Sequence, residues 1–503
     1  MTLAYAALER RFARLSALRN ALGILDWDSQ TMMPVGAASG RSEQVATLKV
    51  MAHETISAPD MGELLEAAEG EVSDDADLHG WRQANLREMR RRWIHDTAVP
   101  ADLVAANSRA VSACEMAWRT ARPASDFKAL LPYLKEVLAL QRRIAVAKAE
   151  KLGTTPYDAL VDEYDPGNRA ARIDALFDDL AAFLPGFTDQ VLAHQTARPP
   201  VIEPKGPFPV ETQRALGVAL MKAVGFDFTR GRLDVSAHPF CGGAVGDVRI
   251  TTRYREDDFT SALMGVLHET GHALYELNRP ADWISQPVGT ARGMSVHESQ
   301  SLIVEMQACR SPQFLHYAAP LLREAFGGDG PAWEADNLYR LYTRVRRDFI
   351  RVDADEVTYP AHVILRYRLE RAMIGGDLEL EDLPGAWNEG LRDILGIVPP
   401  DDRRGCLQDI HWPAGIFGYF PSYTLGAMTA AQLFDAARTQ VHGLESAISQ
   451  GDFRPLTEWL RVNVHAWGSY HTTDGLLSRA TGRPLDAAVY KAHLRRRYLQ
   501  DAE

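Results

Sequence analysis

The sequence predicts a mainly α-helical protein with one small β-sheet next to a helix that carries two histidines. Most segments repeat apolar residues at i, i+3 or i+4 and i+7 and place charges on the opposite face, which is the helical pattern. The best strand candidates are R-L-D-V-S-A-H-P-F-C-G-G and D-V-R-I-T-T-R-Y, which are separated by a glycine-containing turn. They come directly before the histidine pair, so the sheet is expected beside that helix.

The helical repeat is clearest in five segments of the first 200 residues. One of them starts after Ser125-Asp126, which is typical of a helix start, and stops at Gly153, which is typical of a helix end. Five prolines between Pro199 and Pro209 then exclude a helix and predict a linker or a crossing loop. The predicted helical segments are 2–22, 75–97, 101–121, 126–152 and 171–195.

Length and composition predict a globular protein with a large core. The chain has 503 residues, of which 46% are hydrophobic and 24% are charged, and these are ordinary values for a soluble protein. A chain of this length can form a large core and two lobes or subdomains. We therefore predict one domain over 1–503, with approximate parts 1–198, 199–256 and 257–503.

Charge and cysteine usage limit the classes of partner and the compartment. The net charge of −12 argues against nucleic acid or an anionic membrane as the main partner, although a local basic patch is compatible with it. We find no secretory signal and no apolar run of the roughly 20 residues that a membrane span needs. The four cysteines form no C-x-x-C pair, so a reducing cytoplasm is expected; they are Cys114, Cys241, Cys309 and Cys406.

The stretch V-L-H-E-T-G-H-A-L-Y-E contains the candidate chemistry, in a helix predicted over Thr260–Leu277. His268 and His272 lie on one helix face about 6 Å apart along the axis, so both imidazoles can bind one ion. Glu269 is offset by about 100° and can accept a proton from an attacking water. The alternative is coincidence, because a chain with 15 histidines matches such a short motif by chance in about a few per cent of cases. The predicted buried stripe of this helix is Phe259, Leu263, Val266, Thr270, Ala273 and Leu277.

Two histidines need a third ligand, because a catalytic zinc usually has three protein ligands and one open position. Glu298, which follows His272 by 26 positions, can reach the histidines from an antiparallel return helix. The alternative is a capping box, in which Ser295 and Glu298 only cap their own helix. Glu276 lies one turn too far along its helix, and Glu305 is expected to support the site from outside or to be structural.

Six ordered motifs extend along most of the chain. They are H-P-F at 238–240, D-x-R-x-T at 247–251, H-E-x-x-H at 268–272, H-E-S-Q at 297–300, I-R-x-x-A-D at 350–355 and G-x-x-Q-D-x-H-W at 405–412. Together they resemble the motifs of the carboxypeptidase Taq family of metallocarboxypeptidases, and no motif position departs from the family pattern. W-D-S-Q-T-M-M-P near the start is also similar to this family.

The resemblance implies one zinc ion per chain, with cobalt or manganese as alternatives, bound by His268, His272 and Glu298. It implies that Glu269 is the general base. It also implies a large, two-lobed helical peptidase fold with a long, deep substrate cleft, akin to angiotensin-converting enzyme and neurolysin, and a homodimer. The family removes single residues from the C-terminus of peptides with broad specificity and disfavours proline.

Amide hydrolysis also needs a donor for the oxyanion besides the metal. By analogy with related zinc peptidases, we expect a tyrosine from G-Y-F-P-S-Y-T, with Tyr423 ahead of Tyr419. A free C-terminal carboxylate is best matched by a bidentate arginine, and Arg351 is the first candidate. The alternative for Arg351 is a helix salt bridge with Asp355, four residues further on.

Four further residues are predicted to contribute to substrate binding. His238 and His411 are expected to bind the substrate backbone or the oxyanion, and the alternative is a structural role. Arg249 and Gln408 are expected to close one end of the cleft. The leading prediction is a cytoplasmic metallocarboxypeptidase that acts on peptides with a free C-terminus. The competing functions are an endopeptidase or oligopeptidase with the same chemistry, and a catalytically silent peptide-binding scaffold.

Overall fold

The computed structural model describes residues 3–73 and 80–500 and shows a helical body with one three-stranded sheet. The α-helices are α1 (Leu3–Thr31), α2 (Ala38–Ile56), α3 (Met61–Ser73), α4 (Trp81–Thr97), α5 (Ala101–Ala124), α6 (Phe127–Leu152), α7 (Pro156–Tyr164), α8 (Ala170–Ala197), α9 (Val210–Val224), α10 (Thr260–Leu277), α11 (Met294–Leu302), α12 (Pro312–Phe326), α13 (Ala335–Tyr342), α14 (Tyr359–Gly375), α15 (Leu383–Leu395), α16 (Pro421–Gln440), α17 (Leu444–Ile448), α18 (Arg454–Asn463), α19 (Thr473–Thr481) and α20 (Ala487–Leu499). The strands are β1 (Gly231–Val235), β2 (Phe240–Ala244) and β3 (Asp247–Thr252), and Ile303–Ala308 forms a π-helical segment directly after α11.

The predicted helical segments are confirmed as α1, α4, α5, α6 and α8. Position 2 of the first segment and 75–79 of the second lie outside the described residues. Helix α6 starts and stops for the predicted reasons. The carboxylate of Asp126 accepts the backbone N–H of Ala129 at 3.0 Å, and Gly153 ends the helix in the left-handed conformation, with φ 64°.

The proline-rich linker and the sheet also appear where they were expected, with one difference. Residues 198–209 form no helix or strand. The first strand candidate is split into β1 and β2 by a bend at 236–239, because Pro239 has no N–H to donate to a ladder. The strand order is β1-β3-β2, in which β1 runs parallel and β2 antiparallel to β3.

Two large apolar clusters form the core, and helix α16 belongs to both. Its residues Leu425 and Met428 pack in the first cluster, and Ala430 and Leu433 pack in the second. The first cluster joins helices before position 198 to helices after position 345. Helices α5 to α8 therefore share one core with the C-terminal helices, whereas residues between Ala4 and Met89 form a smaller cluster of their own. The single domain stays a prediction. Within the described part of the chain, no helix combines the length and the apolar character that a bilayer crossing requires.

Helix α10 has the predicted bounds, and its predicted stripe is buried. The sheet packs on one side of α10 and helix α11 packs on another. Gly271 permits the close approach of α11: a Cβ at this position would lie 2.3 Å from the carbonyl oxygen of Gln300 and 2.6 Å from the Cα of Ser301. Because both of these atoms belong to the backbone, they cannot move without displacing α11.

We predict that Gly271→Ala lowers the free energy of unfolding by about 1–3 kcal/mol, the usual cost of overpacking. Gly265→Ala is the matched control in the same helix, since its Cβ would meet only Oγ1 of Thr252, at 3.9 Å. The control should be neutral or more stable by up to about 1 kcal/mol, because alanine favours a helix. Urea unfolding followed by circular dichroism measures both variants. Equal midpoints for the two variants would contradict the close contact.

Candidate metal centre

Three side chains from α10 and α11 converge on one point. One ligand atom each from His268, His272 and Glu298 lies within 4.8 Å of the other two. Oε2 of Glu298 is 3.4 Å from Nε2 of His272 and 3.9 Å from Nε2 of His268. The two imidazoles are one helical turn apart, with ring centroids 5.0 Å from each other. Two nitrogens and one carboxylate oxygen are a donor set typical of catalytic zinc sites.

The outer nitrogen of His268 is held by a carboxylate. Nδ1 of His268 lies 2.9 Å from Oε2 of Glu305, and Oε1 of Glu305 accepts a hydrogen bond from Arg310 at 2.5 Å. Because an ionised carboxylate only accepts hydrogen bonds, Nδ1 of His268 donates to Glu305. Burial lowers the pKa of His268, but Glu298 and Glu305 outweigh burial and raise the pKa to about 10. A cation would therefore bind at Nε2 in place of its proton, and the carboxylate behind the ring is the usual support of a metal-binding histidine.

The outer nitrogen of His272 is held by a second histidine. Nδ1 of His272 is 2.7 Å from Nδ1 of His297, and Nε2 of His297 is 2.9 Å from Oε1 of Glu276. Arg279 in turn pairs with Glu276 at 3.0 Å. Burial lowers the pKa of His272 to about 4, so its ring is neutral and carries one proton. When His272 donates that proton from Nδ1 to His297, Nε2 of His272 is unprotonated. The lone pair of this Nε2 then faces Glu298, and the residues fit a divalent ion.

Sequence reasoning did not assign a role to His297. It named the residue only as part of a motif, and it excluded Glu276 as a ligand on distance. The structure shows that both residues hold His272 from behind. The available signal was the position of His297 directly before Glu298, on the helix that returns to α10.

The capping-box interpretation of Glu298 is wrong. Helix α11 begins at Met294 after Gly293, which provides no side-chain cap, so Ser295 lies inside the first turn. Gly426 of α16 leaves room for Glu298, since a Cβ at 426 would be 2.8 Å from the Cβ of Glu298. Burial alone would raise the carboxyl pKa of Glu298, but the two histidines outweigh burial and lower the pKa to about 2. Glu298 is therefore ionised at neutral pH.

Glu269 lies beside this cluster on the same helix. It is buried, with 7% of its surface exposed. Burial raises the pKa of Glu269 to about 7, with His268 acting to lower it and Glu298 acting to raise it. A carboxyl group with a pKa near the working pH can both accept and return a proton.

His411, Tyr419 and Tyr423 form a wall near the cluster. Nε2 of His411 is 3.3 Å from the hydroxyl oxygen of Tyr423, and the rings of the two tyrosines are 5.2 Å apart. Burial lowers the pKa of His411 to about 4, so its ring is neutral at pH 7. Burial raises the pKa of both tyrosines, and the charge of Glu298 raises it further. The two phenols are therefore protonated donors within electrostatic range of the cluster.

Arg351 does not pair with Asp355, so the helix salt-bridge alternative is wrong. Its Nη2 and Nε donate to Oδ1 of Asp409 at 2.8 and 3.2 Å, and its Nη1 donates to the hydroxyl oxygen of Tyr359 at 2.8 Å. Asp355 instead accepts backbone N–H groups of the turn that follows it. A single 3-10 turn at 351–353 replaces the helix that an i, i+4 pair requires.

Gln408 connects the backbone at Phe349 and Arg351 to the backbone at Arg404. Its Oε1 accepts the backbone N–H of Arg351 at 2.9 Å, and its Nε2 donates to the carbonyl oxygens of Phe349 and Arg404 at 3.0 and 2.9 Å. These bonds hold the Arg351 segment in place. A direct role of Gln408 in substrate binding stays a prediction.

His238 and Arg249 both lie in or beside the sheet. His238 is exposed in the bend between β1 and β2. Arg249 pairs with Asp247 at 2.9 and 2.6 Å, and its guanidinium lies 4.3 Å from the centre of the Trp27 ring of α1. The W-D-S-Q-T-M-M-P motif therefore supplies an aromatic surface for Arg249. The substrate-binding roles of His238 and Arg249 stay predictions.

A cavity of about 210 Å³ lies beside the three converging side chains. His268 and Glu298 form part of its wall, and Glu305, Arg310 and Tyr359 form another part. Tyr359 is also the residue that accepts a hydrogen bond from Arg351. Arg351 is therefore connected to the cavity through one side chain.

Two histidines one turn apart, the glutamate between them and a carboxylate from the next helix define an H-E-x-x-H metallopeptidase. Comparison with known proteins narrows this class. The family model of the carboxypeptidase Taq (M32) metallopeptidases matches residues 7–498. Thermostable carboxypeptidase 1 of Thermus thermophilus is 40% identical over 506 residues, which cover 97% of each chain.

Solved structures agree with this match. Metallocarboxypeptidase 1 of Trypanosoma cruzi superposes with a TM-score of 0.96 at 44% identity, covering 99% of this chain and 100% of that one. The M32 carboxypeptidase of Deinococcus radiodurans superposes with a TM-score of 0.90 at 36% identity, covering 98% of each chain. The chain belongs to the carboxypeptidase Taq (M32) family, and it is a metallocarboxypeptidase, a peptide hydrolase. This confirms the predicted family, fold class and enzyme class.

We predict that Glu298→Ala weakens zinc binding by more than about 100-fold, which exceeds the usual cost of losing an outer partner. Glu276→Gln is the matched control, because it changes a carboxylate that supports His272 through His297. It should weaken zinc binding by about 10-fold. Competition with a chromogenic chelator measures both affinities. Unchanged zinc affinity in Glu298→Ala would remove Glu298 from the ligand set.

Proposed function

We propose that the protein binds one zinc ion through His268, His272 and Glu298 and removes single residues from the C-terminus of peptides. The observation that carries this proposal is the convergence of the three ligand atoms within 4.8 Å, beside the buried Glu269. Cobalt or manganese would also bind, because two nitrogens and one carboxylate do not exclude them. We expect broad specificity for the released residue, with proline disfavoured, as in the family.

Each nearby side chain has a separate task in this proposal. A divalent ion at the site makes water more acidic and polarises a peptide carbonyl group. Glu269 accepts a proton from the attacking water and returns it to the departing amine nitrogen. The hydroxyl group of Tyr423 donates a hydrogen bond to the oxyanion that forms on the carbonyl group. His411, next to that hydroxyl, helps to hold Tyr423 in place.

Arg351 is our candidate for recognition of the substrate's terminal carboxylate. A guanidinium has five N–H donors in a planar fork, and three of them already bind Asp409 and Tyr359. The substrate carboxylate would therefore be bound by the remaining donors, together with the hydroxyl group of Tyr359. Recognition of this kind places only the last peptide bond over the metal site.

Two broader features of the proposal concern the state of the protein in the cell. We propose a homodimer on the basis of the family resemblance. We propose a cytoplasmic location because all four cysteines are free, as expected in a reducing compartment.

We predict that Glu269→Gln keeps its zinc and lowers kcat by about 10²–10⁴-fold, the usual contribution of a general base. The amide has nearly the shape of the carboxyl group but cannot accept the proton. Zinc content by elemental analysis and single-turnover hydrolysis of a peptide measure the two effects. A variant with near-normal turnover would show that another group accepts the proton.

The role of Arg351 is tested by a pair of peptides that differ only in a free or an amidated C-terminus. For the native enzyme, amidation should lower kcat/KM by at least about 10²-fold, since it removes a charge-assisted bidentate contact. Arg351→Ala should lower kcat/KM for the free peptide by a similar factor.

The ratio of kcat/KM for the free peptide to kcat/KM for the amidated peptide shows whether Arg351 binds the substrate carboxylate or only holds Asp409. If Arg351 binds the carboxylate, the losses are not additive, and the variant no longer distinguishes the peptides. If Arg351 only holds Asp409, the variant loses activity on both peptides and the ratio persists. Internal cleavage of the amidated peptide at a comparable rate would favour an endopeptidase instead.

A further inference from the structure

We propose that Glu370 is a positioning residue, which holds the segment 412–418 and thereby keeps the neighbouring His411, Tyr419 and Tyr423 in their working geometry. The proposal deepens the function proposed above and depends on it, because it assumes that these residues act on the reacting carbonyl group. Glu370 belongs to α14 and lies outside the six sequence motifs.

The carboxylate of Glu370 accepts three hydrogen bonds in a fully buried position. The hydroxyl group of Tyr157 and the backbone N–H of Gly418 donate to Oε1 at 2.8 and 2.6 Å. The indole N–H of Trp412 donates to Oε2 at 2.9 Å. Glu370 has no exposed surface, so water does not replace any of these donors.

Two of the three donors lie next to residues of the proposed site. Trp412 directly follows His411, and Gly418 directly precedes Tyr419. One carboxylate therefore holds both ends of the segment 412–418, and Tyr423 lies in the first turn of the helix that follows. Two donors on one loop have little freedom to move when both are bound to the same buried carboxylate.

The other side of the segment is held by close packing. Gly418 has a φ of 87°, and a Cβ at this position would lie 2.6 Å from the backbone of Leu160 in α7. The Trp412 ring packs edge-on against Trp387, with centroids 6.1 Å apart. The loop thus lies between α7 and α14, and the carboxylate of Glu370 accepts its hydrogen bonds on the α14 side.

Burying a charged group at this position costs free energy, so its presence needs an explanation. Burial raises the pKa of Glu370 to about 7, and in the described part of the chain only the three hydrogen bonds oppose this effect. A core that needed only packing could use an apolar side chain of similar volume at lower cost. The choice of a carboxylate matches the need to orient two N–H donors on one loop.

The test is Glu370→Gln in the zinc-loaded enzyme. The amide has one accepting oxygen, so its NH2 group must face either Trp412 or the two donors on the other side. We expect kcat to fall by about 10–100-fold, because a small misplacement of groups that act in the transition state has this effect. We expect KM to change by less than about threefold and the zinc content to stay the same.

Tyr157→Phe is the matched control for a loss of stability alone. It removes one donor to the same carboxylate, but this donor belongs to α7 and not to the segment. Its Tm should fall, and its kcat should stay within about twofold of the native value. Trp412→Phe removes the indole N–H bond to Glu370 together with part of the ring that packs against Trp387, and it should lower kcat at least as much as Glu370→Gln does. The double variant Glu370→Gln with Trp412→Phe should show no further loss.

A kcat within about twofold of native in Glu370→Gln would overturn the proposal, and so would an equal loss in Tyr157→Phe. If Glu370→Gln does not fold, a native kcat in Trp412→Phe overturns the proposal and a reduced kcat supports it. Tyr423→Phe separates this proposal from the proposed function. If Tyr423→Phe is fully active while Glu370→Gln is impaired, the oxyanion role of Tyr423 fails and the positioning role of Glu370 stands.

Discussion

The contact between α10 and α11 at Gly271 is the constraint on which the site depends. Because this position has no side chain, the backbone at Gln300 comes close enough to bring Glu298 within 3.4 Å of His272. The same helix and its π-helical continuation also carry His297 and Glu305, which hold the outer nitrogens of the two histidines. One close backbone approach thus places the third ligand candidate and both supporting groups.

The buried charge behind the two histidines is organised in chains of side chains that end at arginines. One chain leads from His268 through Glu305 to Arg310, and the other leads from His272 through His297 and Glu276 to Arg279. The arginine at the end of each chain partly neutralises the charge of the carboxylate in that chain. The inner nitrogen of each imidazole faces Glu298, and a cation would bind there.

On the side of the site formed by His411, Tyr419 and Tyr423, two buried carboxylates have different kinds of partner. Asp409 binds two arginines, Arg351 and Arg366, at 2.8 and 2.6 Å. Among the residues that the structure describes, Glu370 binds no arginine, and its three donors are neutral groups. The ion pairs of Asp409 fix a positive side chain for which we propose a substrate contact, and the hydrogen bonds of Glu370 fix a stretch of backbone.

Local sequence was sufficient for five helices before position 198, for the bounds of α10 and for the placing of His268, His272 and Glu269, because helical periodicity determines which side chains share a face. The order of the motifs was sufficient for the family. The role of Glu298 was open between two interpretations until the start of α11 at Gly293 and its contact with α10 were known. The partner of Arg351 lies 58 positions away, and no local pattern marked Glu370. Such pairings depend on which helices meet in the folded core, and tertiary packing decides that.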